Sequence, residues 1–239
     1  ASHQRIEGPD GTPMALIGIA REELIEHYAG TLKSAGLTCN GFVPGPISLY
    51  QCYLMSGSMD YEGVIMIANV ADRTTDIIMV SVGSLLFSRT INYGVADMVE
   101  RVAQDVGVNN EQARETLFSR ISIKPGVVGD NASGDRAVLA AQDAASKLYA
   151  QLNAVIAHAR AQLGSRELDP GRIAICGSGA SVSGMREFLM SRFRKTVENF
   201  NPLSGVNTSK LDEASANTLQ QYATTLAIPL GLAKIAADR

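Results

Sequence analysis

Hydrophobic and polar positions follow two periods along this chain, and each change of period marks an element. Residues 14–20 form a short apolar run of strand length. Residues 21–35 place Leu24, Ile25, Tyr28 and Leu32 at helical spacing, with Gly36 where a C-terminal cap belongs. Residues 37–43 read as a second strand, broken by Pro44-Gly45-Pro46, and 47–55 as a short buried helix stopped by Ser56-Gly57-Ser58. Three runs rich in Val and Ile follow at 63–70, 75–82 and 85–91. The links between them, 71–74 and then Gly83-Ser84, are so short that antiparallel neighbours are expected, hence a three-stranded meander.

Helical periodicity then takes over. Gly94 precedes a helix over 95–106 with Met98, Val99, Val102 and Val106 on one face, and Asn109 or Asn110 caps the next helix, to about Phe118. Residues 124–134 are rich in Gly, Pro, Asn and Asp and predict a loop. A long helix follows over 135–163, its stripe formed by Val138, Ala141, Ala145, Leu148, Leu152, Val155 or Ile156, and Ala159, with Gly164 at its end. Asp169-Pro170-Gly171 turns the chain into a buried strand at 173–176. That strand runs into the turn Gly177-Ser178-Gly179-Ala180, with Gly184 and a helix beyond it. Such a turn lets backbone approach a ligand and aims helix N–H groups outward, which suits anions and nucleotides; it also serves as a plain chain reversal. A short strand at 196–199, a loop at 201–205 and an apolar helix over 219–237, kinked or begun at Pro229, close the pattern.

Composition narrows the function classes. In 239 residues, 46% apolar and 19% charged, a folded domain with a real core is expected. A net charge of −3 offers no basic surface, so no nucleic-acid partner is expected. The longest apolar runs are too short to span a bilayer, and the polar first residues predict no signal peptide. Cys39, Cys52 and Cys176 are odd in number and lack C-x-x-C spacing, which fits a reducing compartment and argues against disulfides or zinc. Cys176 ends an apolar strand and reads as a small buried hydrophobe rather than a nucleophile. His27 and His158 read as solvated helix positions; His3 is isolated.

The order of three strands, helix, strand, helix, strand, helix resembles the ribonuclease-H-like half-domain of the actin, sugar-kinase and heat-shock ATPase superfamily. Residues 67–76, Ile-Ala-Asn-Val-Ala-Asp-Arg-Thr-Thr-Asp, resemble its second phosphate loop. Residues 87–94 and 107–113 resemble the "F-x-R-x-I-x-x-G-G" and "G-I-S-x-E-E-A-E" stretches of the type IV pilus assembly family PilM. Residues 177–184 resemble its "G-G-G-A-x-x-x-G-L" adenosine motif, Asn201-Pro202-Leu203 its "N-P-F", and Tyr222-Ala223 with Gly231-Leu232-Ala233 its closing "Y-A-x-A-x-G-L-A-L-R". The matches are short, but they run collinearly over 14–237.

This resemblance implies an α/β fold: an actin-like domain with a mixed five-stranded sheet at 61–239, carrying an inserted helical subdomain at about 119–165. Residues 14–57 would end a first domain, with part of an extra α/β subdomain, after a tail or cloning remnant at 1–13. The family's first phosphate loop has no counterpart, so a portion of a larger protein or a shortened relative is expected. The resemblance implies ATP with Mg²⁺ as cofactor, contacted by Gly177, Ser178, Gly179, Ala180, Gly184, Asn69, Thr74 and Thr75. It implies no metal ligand or catalytic residue that this chain retains. Asn69 stands where the loop pattern "D-x-G-x-x-x-S/T" has its Asp, and Ala71 where it has Gly; Arg114 and Leu117 replace the Glu and Lys of "A-E-x-x-K". These departures predict weak or lost nucleotide binding and no hydrolysis. The implied role is a cytoplasmic scaffold, peripheral to the inner membrane and not inserted in it, that binds a short PilN-like peptide of a membrane partner; self-association stays open. The alternative is an ATP-dependent kinase or ATPase of the same superfamily. An FtsA-like division protein is a minor third reading.

Overall fold

The computed structural model describes residues 2–7, 13–57, 61–164 and 168–238. Its centre is a five-stranded mixed sheet in the order β5-β4-β3-β6-β7, built from β3 (Val64–Val70), β4 (Thr75–Ser81), β5 (Ser84–Ile91), β6 (Arg172–Cys176) and β7 (Thr196–Asn199). β3, β4 and β5 form the expected antiparallel meander, whereas β6 lies parallel to both β3 and β7. β3 is buried along nearly its whole length, as a strand covered on both faces must be.

One face of the sheet carries α3 (Val95–Val106), α5 (Ala132–Leu163) and α6 (Met185–Phe193). The predicted stripes on α3 and α5 are the residues that pack there: Met98, Val99 and Val102 meet Ala141, Ala145, Leu148 and Leu152 in one continuous core. α4 (Asn110–Glu115), capped by Asn109 through its bond to the Gln112 N–H, runs into a wide helical turn at Thr116–Arg120. The opposite face is covered by α2 (Gly45–Met55) and α8 (Ala227–Ala237), with Leu49, Cys52 and Tyr53 of α2 over Ile65, Ile67 and Ile78.

Several expectations change. Residues 37–43 form no strand: Pro44 ends the run, and nothing among the described residues pairs with it. Pro44-Gly45-Pro46, read as a break, is instead the start of α2, where proline's missing N–H costs nothing. The single closing helix is two, α7 (Glu213–Gln221) and α8, joined by a 3₁₀ turn at Ala223–Leu226. Residues 2–7, read as tail, form strand β1 (Ser2–Glu7), antiparallel to β2 (Pro13–Gly18) in a separate two-stranded sheet. α1 (Glu22–Ser34) follows, and none of its residues is buried; Leu24 and Tyr28 leave their apolar face open.

The β4–β5 turn carries strain. Val82 and Gly83 both have positive φ, +46° and +75°, between the paired Ser81 and Ser84. That geometry favours Asn-Gly, and a β-branched residue there costs about 1–2 kcal/mol. Val82→Asn should therefore stabilise the protein by about 0.5–1 kcal/mol in urea denaturation. An unchanged or lower midpoint would show that the turn is unstrained.

Candidate functional site

The expected site lies where β3 and β6 end. Their parallel register sets Asn69 beside Cys176, and the next residues on each strand, Val70 and Gly177, meet. Gly177 has φ +80°, and a Cβ on it would sit 2.4 Å from the Val70 carbonyl oxygen and 2.8 Å from Asn69 Oδ1. Its N–H donates to the Thr224 carbonyl at 2.6 Å. A single 3₁₀ turn, Ser178–Ser181, packs Gly179 and Ala180 against the protein and leaves Ser178 half-buried, its Oγ 3.5 Å from the Val70 carbonyl. Gly184, at φ +82°, opens α6 against the Lys124 N–H, 2.3 Å from where its Cβ would be. Gly177 and Gly184 are thus required by the chain's own backbone, and Gly179 by the Val70 side chain.

The 71–74 hairpin beside it is closed by the Ala71 N–H donating to the Thr74 carbonyl. The first amides of α3 donate into the hairpin, Val95 to the Ala71 carbonyl at 3.0 Å and Ala96 to the Asp72 carbonyl at 2.7 Å. A helix N-terminus would otherwise attract an anion; here the hairpin's carbonyls fill it. Asp72 turns outward to an ion pair with Arg114 of α4. Thr75 is fully buried with its hydroxyl donating to the Tyr93 carbonyl at 2.8 Å, and Thr74 is half-buried at the hairpin's end. Of the eight expected residues, Asn69, Gly177 and Gly179 are brought together around Val70; Ser178 and Ala180 adjoin them; Thr74 and Thr75 sit on the hairpin; Gly184 stands apart against Lys124.

A row of polar side chains crosses four adjacent strands here. Thr90 Oγ1 donates to Asp76 Oδ1 at 2.6 Å, the Asn69 amide also donates to Asp76, and Cys176 Sγ lies 3.7 Å from Asn69 Oδ1. Asn69 is 4% exposed. The start of α2 lies against Asp76, whose Oδ2 is 2.7 Å from where a Cβ on Gly45 would be. Burial pushes the Asp76 carboxyl above its ordinary value, partly offset by the hydrogen bonds from Thr90 and Asn69. Burial also raises both buried thiols, Cys52 to about 12 and Cys176 well up, so neither is a thiolate nucleophile near neutral pH. The reading of Cys176 as a buried hydrophobe holds, as does that of His27 and His158 as solvated. Asp76, Thr90 and Arg114 were not expected as site groups. The pairing of Asn69 with Asp76 across the hairpin was the signal, since it places both on one face.

A cleft of about 1090 Å³ runs between α4 with its wide turn and the start of α5. It reaches the glycine turn at Ser183, and none of the eight expected residues lines it. Among the described residues no group of three His, Cys, Asp or Glu side chains could hold a metal ion.

Sheet order, strand directions and helix placement define an actin-like ATPase fold, as the sequence led us to expect. A PilM structure, in a PilM–PilN type IV pilus biogenesis complex, matches with a TM-score of 0.77 and 17% identity over 97% of this chain and 65% of that one. The ethanolamine utilization protein EutJ of Carboxydothermus hydrogenoformans matches with a TM-score of 0.58 and 15% identity, over 90% of this chain and 62% of its own. MreB5 of Spiroplasma citri bound to AMPPNP gives 0.57 and 14%, over 89% and 64%. The chain therefore spans just under two thirds of each of these neighbours. No protein-family model and no curated protein matches its sequence.

The sign of the Asp76 shift sets a pH dependence. A carboxyl whose folded pKa is raised takes up its proton in the native state first, so stability rises as pH falls from above the folded value toward the unfolded value near 3.8. Asp76→Asn should flatten that slope and raise the melting temperature more at pH 7 than at pH 4. An equal effect at both pH values would mean that Asp76 titrates normally.

Proposed function

We propose that this chain is a PilM-type scaffold of a type IV pilus or related secretion assembly, with a degenerate nucleotide site. The observation that carries the reading is the likeness to PilM over 97% of the chain. Among the described residues no helix is long and apolar enough to cross a membrane. Docking on the cytoplasmic side of the inner membrane would pass through a membrane-anchored partner that offers a PilN-like peptide, a reading that the likeness to a PilM–PilN complex supports. β2 pairs only with β1 among the described strands, and Ile17 on it and Ile19 just beyond it are exposed. A free strand edge flanked by apolar side chains suits an extended peptide.

Degeneracy of the nucleotide site rests on geometry. Mg²⁺ and phosphates need free carboxylates and open N–H donors. Here Asn69 is neutral, Asp76 is half-buried and hydrogen-bonded, and the first two α3 amides, of Val95 and Ala96, donate to the hairpin carbonyls. These residues do not fit a Mg²⁺–phosphate group.

Calorimetry with a synthetic peptide of the cytoplasmic N-terminal segment of a PilN-type protein tests the scaffold, and a phosphate-release assay tests the site. The expected results are saturable peptide binding, weakened at least tenfold by Ile17→Asp, and no release of phosphate from Mg-ATP above background. ATP turnover, or a peptide that fails to bind, would contradict the proposal.

A further inference from the structure

On the face of the sheet that carries α2 lies a pocket of about 460 Å³, toward the starts of β3 and β6 and away from the glycine turn. Its floor is apolar, made by Ile65 and Ile67 of β3, Ala174 of β6 and Phe200. Two side chains of opposite charge line it, Arg172 of β6 and Glu198 of β7. Neither enters an ion pair among the described residues.

Their placement accounts for the separation. Arg172 pairs with Thr196 and Ala174 with Glu198, so both charges stand on one face, a diagonal step apart, with roughly 8 Å between their Cα atoms. Arg172 is held by an aromatic ring: its guanidinium carbon lies 4.6 Å from the centre of Tyr61. Tyr61 is itself seated between two glycines. A Cβ on Gly63 would fall 2.6 Å from the ring, and one on Gly171 would collide with the phenol oxygen. The chain thus omits two side chains to place the ring that orients the guanidinium. Stacking uses the flat face of the guanidinium and leaves its in-plane N–H donors for a carboxylate.

An anion alone would leave Glu198 beside it unpaired, and a cation alone would leave Arg172 so. The lining is met by a ligand with a carboxylate, a cation and an apolar body. A zwitterionic α-amino acid carries both charges on one carbon with its side chain beside them. We propose that this pocket binds a free apolar α-amino acid, its carboxylate on Arg172, its ammonium on Glu198 and its side chain over the floor. The floor residues are at most 7% exposed, so burial adds little, and the two charges set the specificity. The site is independent of the scaffold reading.

The test is titration of the whole chain with L-phenylalanine and with L-leucine, followed by NMR of the backbone amides. Saturable shifts at Ala174 and Phe200 are expected. N-acetyl-L-phenylalanine lacks the ammonium and L-phenylalanine amide lacks the carboxylate; each should bind about fivefold more weakly than L-phenylalanine, near the upper limit for an exposed pair. Arg172→Gln should remove the preference over the amide alone, and Glu198→Gln the preference over the N-acetyl compound alone. Thermal melts check that each variant is folded; should one fail, the analogue comparison on the native chain carries the test. Absence of saturation by both amino acids, shifts confined to other parts of the chain, or preferences that survive both substitutions would overturn the proposal. Equal binding by either analogue, which stand for the end residues of a peptide, would assign the pocket to a chain terminus and overturn it too. None of these outcomes touches the scaffold reading, and failure of a PilN-type peptide to bind would leave this proposal intact.

Discussion

Parallel pairing of β3 with β6 brings two chain segments more than a hundred residues apart into one short stretch of backbone. At its end Gly177 lies against Val70 so closely that no side chain fits between them. The strand-to-helix turn, the seat of the Ala223–Leu226 turn above it and the position of the 71–74 hairpin all follow from that contact. In open α/β sheets the carboxyl ends of parallel strands are where ligands bind. Here the same place is filled by the protein.

The filling is specific. Hairpin carbonyls take the first amides of α3, the Thr224 carbonyl takes the Gly177 N–H, and Asp72 takes Arg114. Behind them Thr90, Asp76, Asn69 and Cys176 form a hydrogen-bonded row across four strands, with Asp76 against the start of α2. The row runs from exposed Thr90 to buried Asn69 and Cys176, and its buried groups are costly when left unsatisfied. A site whose donors and acceptors are already paired gains little from a nucleotide, since each new bond must replace an existing one. Such an edge can be maintained without a ligand, which accords with a scaffold more readily than with an enzyme that cycles.

Much of the fold was legible in the chain. The stripes on α3 and α5 and the β3–β5 meander come from local periodicity, and every stripe residue but Val138, which is buried beside the cleft at the start of α5, packs in the core over the sheet. Residues 37–43 look like a strand by composition, but a strand needs a neighbour, which is not a local property. β1 is polar enough to pass for a tail until β2 pairs with it. The closing helix breaks near Tyr222 without a proline at the break. At the site, the glycine turn was visible as a turn. What Gly177 and Gly184 touch was not, because Val70 and Lys124 are distant in sequence. Arg114 was read as a lost nucleotide contact; its bond to Asp72 depends on how α4 docks beside the hairpin.

The central claim is that this edge of the sheet is satisfied by the protein itself. Amide hydrogen exchange at Val95, Ala96 and Gly177, followed by NMR with and without Mg-ATP, tests it most directly. The account predicts slow exchange at all three amides and no change on adding Mg-ATP. Fast exchange in the free protein that becomes slow when Mg-ATP is present would contradict it.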